Sequence, residues 1–256
     1  MRLRAPPALT MTTELVLGID GCRYGWIVAS SQNDQLPTFS IHRHLKHLEE
    51  HFGAWELALV DMPIGLPTTS SRLCDREARK RLGRSRSSSV FPVPCRAAMS
   101  VCDYETACLV NRQHLGVALS KQTWHILPKI RELDEWIRST RAEPVRECHP
   151  ELAFWALNGH KPLSHGKKSV AGQAERLDLL ARRWPDIGPA VAEGQANWPK
   201  SWAALDDMLD AAILALTGTA GTAGLVSIPA KAERDDWGLP MEIVHATHPF
   251  SATERP

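Results

Sequence analysis

The 256-residue sequence has no long apolar run and almost no net charge. No apolar stretch reaches the roughly 18 residues that a membrane-spanning helix needs. The formal net charge is +1, so the overall charge does not predict binding to a membrane or to nucleic acid. We therefore expect a globular protein with an ordinary hydrophobic core and no membrane partner.

The chain also lacks the cysteine spacings of disulfide-rich and zinc-binding proteins. Its six cysteines form no Cys-X-X-Cys pair, so we expect free thiols in a reducing cytoplasm. Residues 1–12 carry basic side chains but not the apolar stretch of a signal peptide, and we expect a disordered extension there. Residues 13–250 are predicted to form a single domain.

Short apolar runs separated by turn residues predict five strands. The first three follow one another through short connections and are expected to be antiparallel neighbours, whereas the last two need crossovers and are expected to be parallel. Residues 70–143, between the fourth and fifth strands, are predicted to be a helical insertion. The predicted fold is an α/β protein with a mixed β-sheet flanked by helices. The predicted strands are 14–20, 26–29, 38–42, 57–60 and 145–148, the main helices are 44–52, 169–184 and 205–217, and a late strand is 225–228.

Carboxylates stand at several places where a strand ends or an apolar helix begins. Asp20 and Asp61 each follow an apolar run, and Glu147 lies in the fifth predicted strand. Asp207 and Asp210 lie three residues apart at the start of an apolar helix. A buried acid is costly without a partner, and several converging acids suit a divalent hard cation. The pattern predicts metal-assisted chemistry, with turn-forming and helix-dipole roles as the alternatives.

Eight short motifs follow one another in a distinctive order along residues 14–220. They are 18–26, 60–67, 74–79, 88–91, 128–130, 147–151, 167–168 and 207–211. Together they resemble the DUF429 family, which is described as predicted nucleases of the ribonuclease H-like fold. The resemblance implies that fold for this chain and a nuclease activity.

In ribonuclease H-like enzymes, acids on the first strand, the fourth strand and the last core helix hold two divalent ions. The resemblance implies that Asp20, Asp61 and Asp210 bind Mg²⁺ or Mn²⁺, with Asp207 one helical turn earlier as a further ligand. Glu147 has no fixed counterpart, and is implied to be a supporting acid or a ligand particular to this family. A pair with Arg146 or another arginine is the alternative. The familiar enzymes carry little between the fourth and fifth strands, so the insertion is expected to alter access to the substrate.

Basic side chains in these motifs and in the Arg/Ser-rich segment are predicted to contact phosphate groups. Residues 83–89 lack the Gly-Lys-Ser/Thr ending of a Walker loop, but their backbone amides are a possible anion site. A solvated helix face with an Asp75–Arg79 pair is the alternative for the arginines. The predicted phosphate contacts are Arg84, Arg86, Arg96, Lys129, Lys167 and Lys168.

Two residues of the 147–151 motif have alternative roles. His149 lies beside the predicted acids, and an imidazole titrates close enough to neutrality to act as a general acid or base. Its alternative is a helix N-cap. Glu151 follows Pro150 at the start of a predicted helix, where the helix dipole favours an acid, and a role as metal ligand is the other possibility.

These features predict a hydrolase that cleaves phosphodiester bonds in nucleic acid with two divalent ions, Mg²⁺ or Mn²⁺. Two alternatives stay open. One is phosphoryl transfer or ATP binding of the actin and sugar-kinase type, and the other is a non-catalytic module that binds nucleic acid or protein. The sequence does not predict an oligomeric state. The predicted catalytic set is Asp20, Asp61, Glu147, His149, Asp207 and Asp210.

Overall fold

A five-stranded mixed sheet forms the centre of the protein. The computed structural model describes residues 14–140 and 144–247, so the expected extension at 1–12 lies outside the described residues. In the strand order β3-β2-β1-β4-β5, β2 is antiparallel to β1 and β3, whereas β1, β4 and β5 run parallel. The predicted pairing directions are therefore confirmed. The strands are β1 Leu15–Gly21, β2 Trp26–Gln32, β3 Thr38–His42, β4 Leu57–Val60 and β5 Val145–Glu147.

Helices cover the sheet on both faces, which confirms the predicted α/β class. They are α1 His47–Phe52, α2 Leu73–Arg86, α3 Tyr104–Leu115, α4 Lys121–Thr140, α5 Pro150–Leu157, α6 Val170–Ala181, α7 Ile187–Ala196 and α8 Leu205–Gly218. The sequence pattern predicted α6 and α8 closely but missed α7. Within residues 14–140 and 144–247, no helix is both long and apolar enough to cross a membrane.

A second, smaller sheet follows α8. The predicted late strand is longer than expected and pairs antiparallel with a seventh strand, which the sequence pattern did not reveal. The pair is β6 Leu225–Arg234 and β7 Pro240–Ala246.

Helix α8 lies directly against β1 because glycine leaves room for it. A Cβ atom at Gly18 would lie 2.1 Å from the carbonyl oxygen of Ala211 and 2.2 Å from the amide nitrogen of Ala215. Side chains alternate along a strand, so Asp20 points to the same face as Gly18. This face is called the α8 face below.

Helix α4 covers the opposite face, which is called the α4 face. Leu127, Ile130 and Leu133 pack there with Leu17 and Val60 in one buried cluster. The segment between β4 and β5 was predicted as an insertion, and it does contain α2, α3 and α4. However, α4 is a full layer of the core, because the apolar α4 face of the sheet has to be covered.

Candidate metal centre

Three carboxylates meet at one end of the central sheet. Asp20 lies near the end of β1 on the α8 face, and Asp61 follows β4, whose neighbour in the sheet is β1. Asp210 lies in the second turn of α8, which packs on β1. One carboxylate oxygen from each of the three lies within 4.8 Å of the others. The predicted convergence of these acids is confirmed.

Burial and mutual repulsion make the three acids hard to ionise. Burial raises the pKa of Asp20 well above its ordinary value, and the charges of Asp61 and Asp210 add to the effect. Burial likewise raises the pKa of Asp61, and it raises that of Asp210 to about 6. The three carboxylates repel one another when they are ionised, and a bound hard divalent cation would offset this repulsion.

Lys167 supplies a positive charge to this cluster. Its Nζ lies 2.6 Å from Oδ2 of Asp210, and its side chain is 38% exposed. Burial alone would lower its pKa, but the charges of Asp210, Asp20 and Asp61 outweigh burial and raise it. Lys167 precedes α6, where the Ser169 side chain accepts a hydrogen bond from the Gly172 amide and fixes the helix start. The predicted phosphate contact is therefore an ion pair with the acids in this structure.

A cavity of about 280 Å³ opens beside the acids. Its opposite wall comes from the Arg/Ser-rich segment, because α2 kinks at Gly83, where φ is +65° and a side chain would be strained. The Nε of Arg86 donates to the carbonyl of Leu163 at 3.0 Å, which holds the guanidinium at the cavity. The lining residues used below are Asp61, Ser85, Arg86, Glu151, Lys167 and Asp210.

Asp207 lies outside the trio and caps α8. Its Oδ2 accepts a hydrogen bond from the backbone N–H of Ala204 at 2.9 Å. This is the helix-start role that the sequence left as an alternative. Its assignment as a metal ligand stays a prediction.

Both carboxylate oxygens of Glu147 are bound to Arg72, which confirms the alternative of a pair with an arginine. Arg72 NH1 lies 2.6 Å from Oε2, and NH2 lies 2.7 Å from Oε1. The N–H of Ile64 donates to Oε2 as well. In the β4–β5 register Glu147 is opposite Val60, which packs on the α4 face, so it points away from the trio. Burial raises its pKa although Arg72 acts in the opposite direction.

His149 is the N-cap of α5, the alternative that the sequence left open. Its Nδ1 accepts from the N–H of Glu151 at 3.2 Å, which leaves the ring proton on Nε2. Nε2 then donates to the carbonyl of Ser89, also at 3.2 Å. Both ring nitrogens are engaged, so the imidazole has no free site for general base catalysis in this arrangement.

The remaining predicted phosphate contacts are spread over the molecule. Arg96 is held by Asp134 and Asp235 and stacks on Trp237, so its guanidinium charge is already compensated. Lys129 donates to the carbonyl of Gly25 in the β1–β2 turn. Neither lines the cavity.

Arg84 and Lys168 are exposed. Neither has an ion pair with the described part of the chain, although the charge of Lys168 acts on Asp207. Their phosphate contacts stay a prediction. The Asp75–Arg79 alternative is replaced by other partners, because Asp75 pairs with Arg72 and Arg79 donates to the carbonyl of Val90.

Glu151 is a buried acid at the cavity, although the sequence indicated mainly a helix-start role for it. It is 8% exposed, lines the cavity and contributes to the raised pKa of Asp61, although burial is the larger cause there. The fully buried Arg176 binds its Oε1. Because the helix dipole alone explains an acid after Pro150, the sequence did not indicate that Glu151 lies at the cavity.

The chain matches one family model over residues 18–234, a family described as a protein of unknown function, DUF429. No curated protein and no solved structure matches it. The match covers nearly the whole chain and contains all three acids of the trio. The chain therefore belongs to the DUF429 family.

Proposed function

We propose that this protein is a metal-dependent hydrolase of phosphodiester bonds, a nuclease that uses Mg²⁺ or Mn²⁺. The observation that carries the proposal is the convergence of Asp20, Asp61 and Asp210 within 4.8 Å beside a cavity. The donor set fits these ions, because both prefer carboxylate oxygens. Two bound ions would supply an activated water and would stabilise the leaving oxygen.

The position of each acid in the fold supports this proposal. Asp20 belongs to the first strand, Asp61 follows the fourth, and Asp210 lies on the helix that packs against the first. Ribonuclease H-like enzymes, which the sequence resembles, hold their ions with acids in these places. The mixed sheet also agrees with the resemblance, since three antiparallel strands are followed by two parallel ones.

The cavity supports a phosphate-bearing substrate. Arg86 presents its guanidinium there, and Ser85 adds a hydroxyl group. Lys167 lines the same space and is bound to Asp210. Once ions neutralise the acids, Lys167 and Arg86 are the cations left for phosphate oxygens. The residues of this chain would thus bind and orient the phosphate against the acids.

Cleavage assays test the proposal directly. Labelled single-stranded DNA, single-stranded RNA, duplex and hybrid substrates, together with bis(p-nitrophenyl) phosphate, would be incubated with Mg²⁺, Mn²⁺ or EDTA. We expect metal-dependent cleavage by the wild type and none by Asp20→Asn, which removes a charge from the trio. Cleavage that survives Asp20→Asn would refute the assignment. Hydrolysis of ATP in place of every phosphodiester would favour phosphoryl transfer.

A further inference from the structure

We infer that Glu151 is the fourth carboxylate of the metal centre and, with Asp61, holds the second divalent ion. The inference rests on the proposed function, which assigns Asp20, Asp61 and Asp210 to the metal. The sequence placed Glu147 among the catalytic acids and left a metal-ligand role for Glu151 as one of two alternatives.

The two oxygens of the Glu151 carboxylate have different surroundings. Oε1 is bound by NH2 of Arg176. Oε2 is buried and has no hydrogen-bond partner within residues 14–140 and 144–247. Nε of Arg86 lies 4.0 Å from Oε2, an ion-pair distance that is too long for a hydrogen bond. A buried carboxylate oxygen without a hydrogen bond is costly, and we assign a bound cation as its partner.

Arg176 fixes the orientation of this carboxylate. Its side chain is fully buried, and NH1 donates to the carbonyl of Gly172 at 3.0 Å, so the guanidinium is anchored to α6. By binding Oε1, Arg176 leaves Oε2 toward Arg86, and both Glu151 and Arg86 line the cavity. This is the arrangement by which an outer partner orients a metal-binding carboxylate.

The charges of the cavity agree with a second ion. Glu151, Asp61 and Asp210 all line the cavity. Asp20 does not line it, but one of its carboxylate oxygens lies within 4.8 Å of oxygens of Asp61 and Asp210. The four carboxylates carry four negative charges when ionised, of which Arg176 offsets one, so two divalent cations are enough to neutralise the site. Lys167 and Arg86 are then left for the negative charge of a phosphate group.

Glu147 is the natural control. It is also a buried glutamate bound to a buried arginine, and it stands only four residues earlier. However, Arg72 and Ile64 satisfy both of its oxygens. Substitution of Glu147 therefore tests the effect of losing a buried ion pair without the loss of an available oxygen.

The experiment counts bound Mn²⁺. The full chain would be titrated with Mn²⁺, and the free ion would be followed by electron paramagnetic resonance, for the wild type, Glu151→Gln and Glu147→Gln. We expect two ions in the wild type and in Glu147→Gln. Affinity for the second ion should fall at least about tenfold in Glu151→Gln, since even residues that only orient ligands are worth about 10- to 100-fold.

Glu151→Asp guards against misfolding, because it keeps a charge for Arg176 while withdrawing the carboxylate by one methylene. It should lose the second ion as well, with a native circular dichroism spectrum. Two ions bound with unchanged affinity in both Glu151 variants would overturn the inference, and so would a single wild-type ion that neither variant disturbs. A wild type that binds no Mn²⁺ would refute the proposed function itself.

Discussion

Two glutamates in one short segment meet buried arginines, and the two pairs differ in one respect. Glu147 and Arg72 share two short contacts, and the Ile64 amide completes the set. Glu151 gives one oxygen to Arg176 and leaves the other without a hydrogen bond in the described part of the chain. The first pair is a fully hydrogen-bonded structural contact on the α4 face. In the second pair, Glu151 lines a cavity that Asp61 and Asp210 also line. Both acids are buried. What distinguishes the structural acid from the candidate ligand is whether both carboxylate oxygens already have hydrogen-bond partners.

The largest expected effect belongs to the acid cluster. Asp61→Asn should lower cleavage by about 1,000-fold or more, since metal coordination supplies several kcal/mol of transition-state stabilisation. Oligonucleotide binding should stay equal or become tighter, because one negative charge is removed near a polyanion. Single-turnover cleavage and filter binding would measure the two quantities. Glu147→Gln should keep wild-type cleavage per folded molecule, and a parallel loss of cleavage there would erase the distinction between the two sites.

Stability should not follow the order expected for cleavage. Glu147→Gln leaves the buried Arg72 with Asp75 as its remaining carboxylate, and breaking a buried pair costs about 3–5 kcal/mol of unfolding free energy. Glu151→Gln takes the carboxylate from the fully buried Arg176 but relieves repulsion of Asp61, so we expect a loss in the same range. Urea denaturation in EDTA would measure both. A loss in Glu147→Gln below about 1 kcal/mol would show that its pair with Arg72 contributes little to stability.

The acid cluster should also make metal-free stability depend on pH. The pKa of Asp210 is raised from 3.8 to about 6 in the folded state, chiefly by burial, so between these values the folded protein binds more protons than the unfolded chain. The unfolding free energy should therefore fall as pH rises through this window, by about 3 kcal/mol for this group. Urea melts from pH 4 to 7 in EDTA would record the slope.

Two controls sharpen the pH experiment. Asp210→Asn should flatten the slope, because the titrating group is gone. Saturating Mn²⁺ should raise stability most near neutral pH, where the acids are ionised and only the folded state assembles the site. An unchanged slope in Asp210→Asn would assign the titration to other groups.

The smallest effect separates two arginines of α2. Arg86 lines the cavity, whereas Arg84 is exposed at the surface. Arg86→Ala should weaken oligonucleotide binding about tenfold, since a hydrogen bond to a charged group contributes about 1.5–3 kcal/mol. Arg84→Ala should change binding much less. Fluorescence anisotropy at several salt concentrations would compare them, and equal losses would point to a surface groove instead of the cavity.

Local patterns in the sequence marked five candidate acids, and the family resemblance singled out the trio among them. Asp20 and Asp61 end apolar runs, and Asp210 lies in an apolar helix, so strand parity and helical burial bring them to one place. The role of Glu147 depends on the register of β4 against β5, which sequence spacing does not encode. Arg96 binds Asp235, which lies just after β6 and 139 residues away in the chain. The contact of Lys167 with Asp210 spans 43 residues. Contacts between residues so far apart in the chain cannot be predicted from local sequence patterns or from secondary-structure propensity.

The glycine at the centre of β1 has a consequence for ion selectivity. Because α8 rests there on main chain and not on a side chain, no rotamer change at position 18 can alter the separation of the two backbones that carry Asp20 and Asp210. Mg²⁺ demands oxygens at about 2.0–2.1 Å, and Ca²⁺ accepts about 2.3–2.6 Å. In the proposed centre, Gly18 would thus help to determine which ionic radius fits between Asp20 and Asp210, although it has no side chain that could contact an ion.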